Sequence, residues 1–351
     1  MSFIDKWMRS KAGWVGIIKF LLIPASYFYG VITSCRRKFY DLGFFSSYRS
    51  LVPVISIGNL TAGGSGKTPF TLFLLSLLLK KGKVAVLTRG YRSGVEKNPI
   101  PLALCMGKGP LFSAEFGGDE PYLLAQRAPQ SFIFVGQNRV LGAKMAEGEG
   151  VRWILLDDGF QHLKLKRDED IVLLNGENPW GYGYPLPRGL LREFPSALKK
   201  ATLVVVHHFN KASPEWIESL QKKLSCPLIG TQVRARGLLD LDNRSFAIPF
   251  LEPMGLFCGL ANPSSFLETA LSLGIKVMGY RFFPDHASYS FQNLGDWAQD
   301  MKDQGAKYLI CSEKDSVKIN FNLPLKVLYL PMDLQIVYGQ KKFEEWFSRY
   351  T

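Results

Sequence analysis

Cysteine is scarce in this 351-residue chain. Its thiols, Cys35, Cys105, Cys226, Cys258 and Cys311, are scattered, and no pair has metal-ligand spacing. That argues against a zinc site or a disulfide framework and fits a reducing cytoplasm. Low-complexity tracts and internal repeats are also missing. With hydrophobic residues at 47% and charged residues at 21%, most of the chain is expected to fold. Negative charge is in deficit: 30 acidic against 43 basic residues leave a formal charge of +13. Partners are therefore expected to be anionic: a membrane surface, a phosphorylated substrate or nucleic acid. The length predicts two domains.

Residues 13–34, GWVGIIKFLLIPASYFYGVITS, form an apolar run close to the roughly 20 helical residues that cross a bilayer core. Lys19 lies inside it, where a central lysine costs roughly 2.5–3.5 kcal/mol on insertion, and Pro24 is expected to kink the helix. Cations flank both ends, Lys6, Arg9 and Lys11 before and Arg36, Arg37 and Lys38 after, so charge sets no orientation. Trp14, Tyr27 and Tyr29 suit a headgroup interface. No small-residue cleavage site follows, which argues against a secretory signal. The favoured reading is a retained anchor in or dipping into an anionic leaflet; a buried first helix is the alternative.

Beyond Leu51, short apolar runs alternate with amphipathic ones. Strands are expected at 52–57, 84–88, 132–135, 153–156, 171–174 and 203–206. Helices are expected from near Lys67, Asp119 and Asn138, and over 213–224, where Ser213-Pro214 gives a cap and a first-turn proline. This is the pattern of an α/β chain with a doubly wound, mostly parallel sheet of P-loop NTPase type. Regularity lapses around 233–253 and resumes with MGLFCGL, a helix after Asn262-Pro263 and a strand at 308–311. The expected division is an anchor at 1–38, a larger α/β core at 39–233 and a smaller α/β domain at 234–351.

The stretch GNLTAGGSGKTP is a phosphate-binding loop without its usual first glycine, whose position holds Thr61. Gly63, Gly64 and Gly66 leave the backbone free to wrap phosphate oxygens between a strand and a helix. Thr61, Ala62, Gly63, Gly64, Ser65, Gly66, Lys67 and Thr68 are the expected nucleotide-binding residues. Lys67 is expected to reach the β- and γ-phosphates and Thr68 to ligate Mg²⁺. In VRWILLDDGFQH, four apolar residues lead into Asp157 and Asp158, adjacent carboxylates that repel unless a cation compensates. A metal accounts for both; a plain Asp-Asp-Gly turn is the structural alternative.

Three further stretches carry candidate chemistry. FGGDEPYLLA puts Asp119 and Glu120 at a helix start, where acids also serve as caps. PLPRGLLREF offers Arg188, Arg192 and Glu193 on a loop suited to anions. RFFPDHASYS places Asp285 and His286 in the second domain. In order, GNLTAGGSGKTP, TRGY, GGDEP, DDGFQH, LPRGLLRE, FPDH and SEKD resemble the tetraacyldisaccharide 4′-kinase family over nearly the whole chain.

The resemblance implies ATP-dependent, Mg²⁺-requiring phosphorylation of the 4′-hydroxyl of an acylated glucosamine disaccharide 1-phosphate at the cytoplasmic face of the inner membrane. It accounts for Thr61, because the family's loop also lacks the first glycine. It implies that Asp119 is catalytic and paired with His286, that Asp157 and Asp158 are metal and nucleotide-site acids, and that Arg192 and Glu193 form the LRE motif. Asn59, Glu193 and His162 are candidate substrate contacts; His162 could equally support its loop. Glu313, Lys314 and Asp315 are candidates for lining the nucleotide site, while His207 and His208 suit strand-end packing. A monomer without nucleic-acid partners is expected.

A sugar hydroxyl is a very weak acid, so a carboxylate such as Asp119 helps by taking its proton, and Lys67, Mg²⁺ and Arg192 supply positioning and charge. With Asp119 and His286 in different domains, closure is expected to complete the site. A membrane-tethered nucleotide switch or ATPase acting on a protein partner is the competing reading, but no guanine-reading Asn-Lys-x-Asp motif is present. A nucleic-acid-stimulated ATPase is a third, disfavoured because the cations flank the anchor and scatter over loops instead of interleaving with stacking aromatics.

Overall fold

A computed structural model describes Met8 and residues 13–91, 93–260, 262–285 and 287–350. The expected flanking cations Lys6, Arg9 and Lys11, and the catalytic candidate His286, lie outside the described residues.

Two sheets organise the chain. The first has the order β15-β8-β7-β6-β1-β5-β2-β4-β3. Its seven central strands run parallel: β8 (Leu228–Ala235), β7 (Leu203–His207), β6 (Glu169–Asn175), β1 (Val54–Asn59), β5 (Trp153–Asp157), β2 (Val84–Thr88) and β4 (Phe132–Val135). Antiparallel β15 (Met332–Tyr338) and β3 (Leu102–Met106) close the edges. β1, β2, β4, β5 and β7 are buried at every residue. Coverage on both faces is why these strands read as unbroken apolar runs. The doubly wound α/β expectation holds, with β1 in the middle, and β5 and β6 on either side.

The second sheet has the order β10-β9-β14-β13-β11-β12. It comprises β9 (Leu238–Asp240), β10 (Ser245–Phe246), β11 (Met254–Cys258), β12 (Val277–Phe282), β13 (Tyr308–Ser312) and β14 (Lys326–Leu330). The chain path departs from a single division at 233/234. β15 leaves the second sheet and pairs with β8, Met332 opposite Ala235. A following helix, Gln340–Phe347, buries Phe343 and Trp346 in the first core. The physical reason is the open edge at β8, together with Phe73, whose ring stands 5.5 Å from that of Phe343.

The apolar N-terminal run is helical in two pieces, α1 (Gly13–Leu21) and α2 (Ile23–Asp41), parted at Leu22 with Pro24 in the first turn of α2. The combined segment contains an 18-residue window of mean hydropathy 1.8, long and apolar enough to cross a membrane. One side of α2 docks on the protein: Ser26 is fully buried, and the Phe194 ring fills the space a Cβ on Gly30 would occupy, 2.4 Å away. The other side bares Phe28, and α1 bares Trp14 and Phe20, each more than half exposed. Lys19 is buried, with its ammonium donating to the Met8 carbonyl at 2.7 Å.

Candidate active site

β1 ends at Asn59 and α3 (Lys67–Leu79) begins at Lys67, so residues 60–66 make the turn. Within it, only Gly63 (φ +109°) and Gly66 (φ +79°) take positive φ. Thr61 instead forms an antiparallel bridge with Leu191, while the Ala62 N–H donates to Leu190 O and the Arg192 N–H to Leu60 O, both at 2.7 Å. The missing glycine is thereby explained: the chain there pairs like a strand with residues 190–192 and needs no left-handed residue. Gly66 is different. The His207 ring lies 2.5 Å from where its Cβ would be, so the turn into α3 requires glycine. No side chain caps α3, which leaves its first N–H groups for oxyanions.

Asn59 braces this loop from inside: its amide donates to Thr61 O at 2.6 Å and to Ser65 Oγ at 2.8 Å. His207 is likewise packed beneath the loop, 3.3 Å from Thr231 Oγ1, and burial, with His208 adding to it, pushes the imidazole down to about 3.

The two adjacent acids have opposite surroundings. Asp157, at the end of β5 and in register with Ile57 of β1, is buried; it accepts from Thr88 Oγ1 at 3.1 Å and Thr71 Oγ1 at 3.4 Å. Burial, then Glu120 and Asp158, push its carboxyl up to about 6. Asp158 follows with φ +51° and turns toward cations. Both its oxygens accept from Arg192 Nη1 at 2.9 Å, and Lys67 Nζ lies 3.5 Å away. Burial opposes its ionisation, but Lys67 and Arg192 outweigh that and hold it below the usual carboxylate range. Nearby, Arg139 is pushed down to about 10 by burial, which Asp157 and Asp158 only partly offset.

Among the described residues, no group of three or more His, Cys, Asp or Glu side chains is arranged to hold a metal. Mg²⁺ in nucleotide sites is typically held by one or two carboxylates together with phosphate oxygens. Thr68, in the first turn of α3, and Asp157, a buried carboxyl short of positive charge, fit that sparse oxygen donor set.

Asp119 opens α5 (Asp119–Arg127; α4 is the short turn Ala114–Gly117). The cap position belongs to Gly118 and no side chain caps it, so Asp119 does not serve as the cap. Its Oδ2 instead lies 2.9 Å from the ammonium of Lys318, which comes from the second sheet's side. Residues 313–318 lie against α5. Arg127 bonds Glu313 at 2.6 Å and also Asp333, while Lys314 meets Asp285 at 3.1 Å and Glu120 at 3.9 Å. Glu313 and Lys314 thus join the two sheets, while Asp315 is fully buried on the second sheet's side.

Glu193 is not free for a substrate. It is buried and paired with both Nε (2.6 Å) and Nη2 (2.7 Å) of Arg37 from α2. Arg188 stacks over the Tyr184 ring, and its backbone N–H donates to Ser26 Oγ at 2.8 Å. His162 has a buried Nε2 with no hydrogen-bond partner, and burial, then Arg139 and other cations, push it down to about 4. The structure therefore gathers Lys67, Asp157, Asp158 and Arg192 at the loop, and turns Asn59 and Glu193 into internal braces. Sequence reasoning missed Lys318, Arg37 and Arg127. Lys318 stands three residues after Asp315 in SEKDSVK, and Arg37 was grouped with the cations flanking the apolar run.

Residues 18–351 match the family model described as tetraacyldisaccharide-1-P 4′-kinase. A tetraacyldisaccharide 4′-kinase from Syntrophotalea carbinolica is 37% identical over 326 residues, spanning 90% of this chain and 88% of the relative. One from Chlorobium luteolum is 33% identical, spanning 86% and 87%. A crystal structure of LpxK from Aquifex aeolicus in complex with ATP is 30% identical, with a TM-score of 0.76, covering 95% of this chain and 99% of that one.

Proposed function

The chain belongs to the tetraacyldisaccharide-1-P 4′-kinase family, and from that premise we propose how its residues divide the work. The enzyme transfers the γ-phosphate of ATP to the 4′-hydroxyl of tetraacyldisaccharide 1-phosphate in lipid A biosynthesis.

Residues 61–66 and the first N–H groups of α3 hold phosphate oxygens. Lys67 and Arg192, gathered by Asp158, stabilise charge on the transferred group. The side-chain bonds of Arg192 to Asp158 and Gln161 all run through Nη1, so Nε and Nη2 can meet phosphate oxygens. Thr68 and Asp157 would hold Mg²⁺, which when bound neutralises charge on the β- and γ-phosphates. Asp119 accepts the proton of the 4′-hydroxyl as the new O–P bond forms and ADP departs, with His286 assigned to orient it. The bare faces of α1 and α2 lie in the anionic cytoplasmic leaflet of the inner membrane, where the acylated substrate resides.

The observation that carries this reading is the convergence of Lys67 and Arg192 on one carboxylate, within 3.5 Å, at the edge of the phosphate loop. The test follows phosphate from ATP into the tetraacyl disaccharide 1-phosphate, with purified protein in detergent and Mg²⁺. Asp119→Ala is expected to slow transfer by about 10²–10⁴-fold while ATP affinity holds, and Lys67→Ala to weaken both. Hydrolysis of ATP without a phosphorylated lipid, or wild-type rates in Asp119→Ala, would sink these assignments.

A further inference from the structure

Lysine is almost never buried unless paired, yet the Lys318 side chain is only 9% exposed. Its ammonium meets Asp119 Oδ2 at 2.9 Å, Ala287 O at 3.0 Å and Asp315 Oδ1 at 3.6 Å, and it lies 5.5 Å from the Tyr289 ring centroid. Asp315 is held from below by the Gly259 N–H at 3.0 Å, the Tyr289 O–H at 2.9 Å and the Ser312 O–H at 2.5 Å. The acid is thus fully supplied with donors before Lys318 is counted. What Lys318 adds to it is charge, and what Asp315 returns is a fixed footing for the ammonium.

We propose that Lys318 is a positioning residue for phosphoryl transfer: standing on Asp315, it aims Asp119 and keeps it ionised, so the base is competent only while residues 313–318 rest on α5. The charges facing Asp119 explain the need. Glu120 stands beside it on α5, and Asp315 shares the same Lys318 ammonium from the second sheet's side. Lys314 is committed to Asp285 and to Glu120. Crowded acids and burial both drive a carboxyl toward its neutral form, and a cation in contact reverses that by about 1–3 pH units. Because Lys318 comes from the second sheet's side and Asp119 from the first, separating the two removes the cation and disarms the base.

This inference rests on the assignment of Asp119 as base, and the experiment separates the two. The kcat of lipid phosphorylation is measured against pH for the full chain in detergent, together with ATP binding. Lys318→Met is expected to move the acid limb of the profile up by about one unit or more, a tenfold loss on that limb, with ATP affinity unchanged. Lys318→Arg, which keeps the charge, is expected to restore the wild-type limb. Should Lys318→Met fold poorly with Asp315 left uncompensated, Lys318→Met/Asp315→Asn removes both charges, and its limb is expected to remain displaced. A limb at the wild-type pH in the methionine variants overturns the role of Lys318 while leaving Asp119 in place. Full activity in Asp119→Asn overturns the base assignment itself.

Discussion

The pair between Arg37 and Glu193 offers a direct energetic test, because it links α2 to the loop that braces the phosphate cradle. Both side chains are nearly buried, at 9% and 6% exposure, and they are joined by two short charge-assisted bonds. Arg37 also donates to Phe160 O at 2.9 Å and lies 4.4 Å from the Phe160 ring centroid. Removing one member of such a pair leaves the other charge buried and unmatched, a loss of about 3–5 kcal/mol, whereas replacing both by apolar residues is often close to neutral. Arg37→Met is therefore expected to lower the free energy of unfolding by about 3–5 kcal/mol in detergent-solubilised protein followed by tryptophan fluorescence in urea, and Arg37→Met/Glu193→Met to recover most of it. Since residues 190–192 pair with the cradle at Leu60 and Ala62, the single variant should also raise the KM for ATP. A single variant within 1 kcal/mol of wild type, or a double variant no better than the single, would refute this reasoning.

Asp157 should trade stability against activity. Its folded carboxyl is pushed up to about 6 from an ordinary 3.8, so between those pH values the folded chain keeps a proton that the unfolded chain has released. Stability then falls as pH rises through that window, and the deficit, about 3 kcal/mol, is complete above it. Asp157→Asn should unfold later than wild type at pH 8 and alike near pH 4, while losing transfer activity; an equal difference at both pH values would contradict this. At the head of α3, Gly66→Ala meets both a positive φ and the His207 ring, and should weaken ATP binding at least about tenfold. His207→Ala in that background should restore only part, because the strained φ persists; equilibrium binding of an ATP analogue decides.

The strands were legible because burial on both faces forces continuous apolar runs, as in VAVLT and LVVVH. The phosphate loop was legible because wrapping an anion needs glycine at defined points. Braces are harder to read. Glu193 sits in a motif that suits anion binding, and nothing in the spacing of Arg37, 156 residues away, says that the two meet. Asn59 has the same ambiguity, since an amide can face a ligand or its own loop. The return of β15 to β8 was hidden because an edge strand with alternating burial fits either sheet. Lys318 lay beyond reach because its partner Asp119 comes from the other sheet.

That return has a mechanical consequence. The chain leaves the first sheet at the end of β8 and re-enters it at the start of β15, where Ala235 and Met332 stand opposite each other in a hydrogen-bonded ladder. The chain thus ties the intervening lobe to the first sheet through two neighbouring strands at a single place, so that its covalent connection permits a swing about that ladder. Cutting the chain after β14 would leave the lobe on one strand, free to drift, and would cast loose the register between its lysines and the acids they serve.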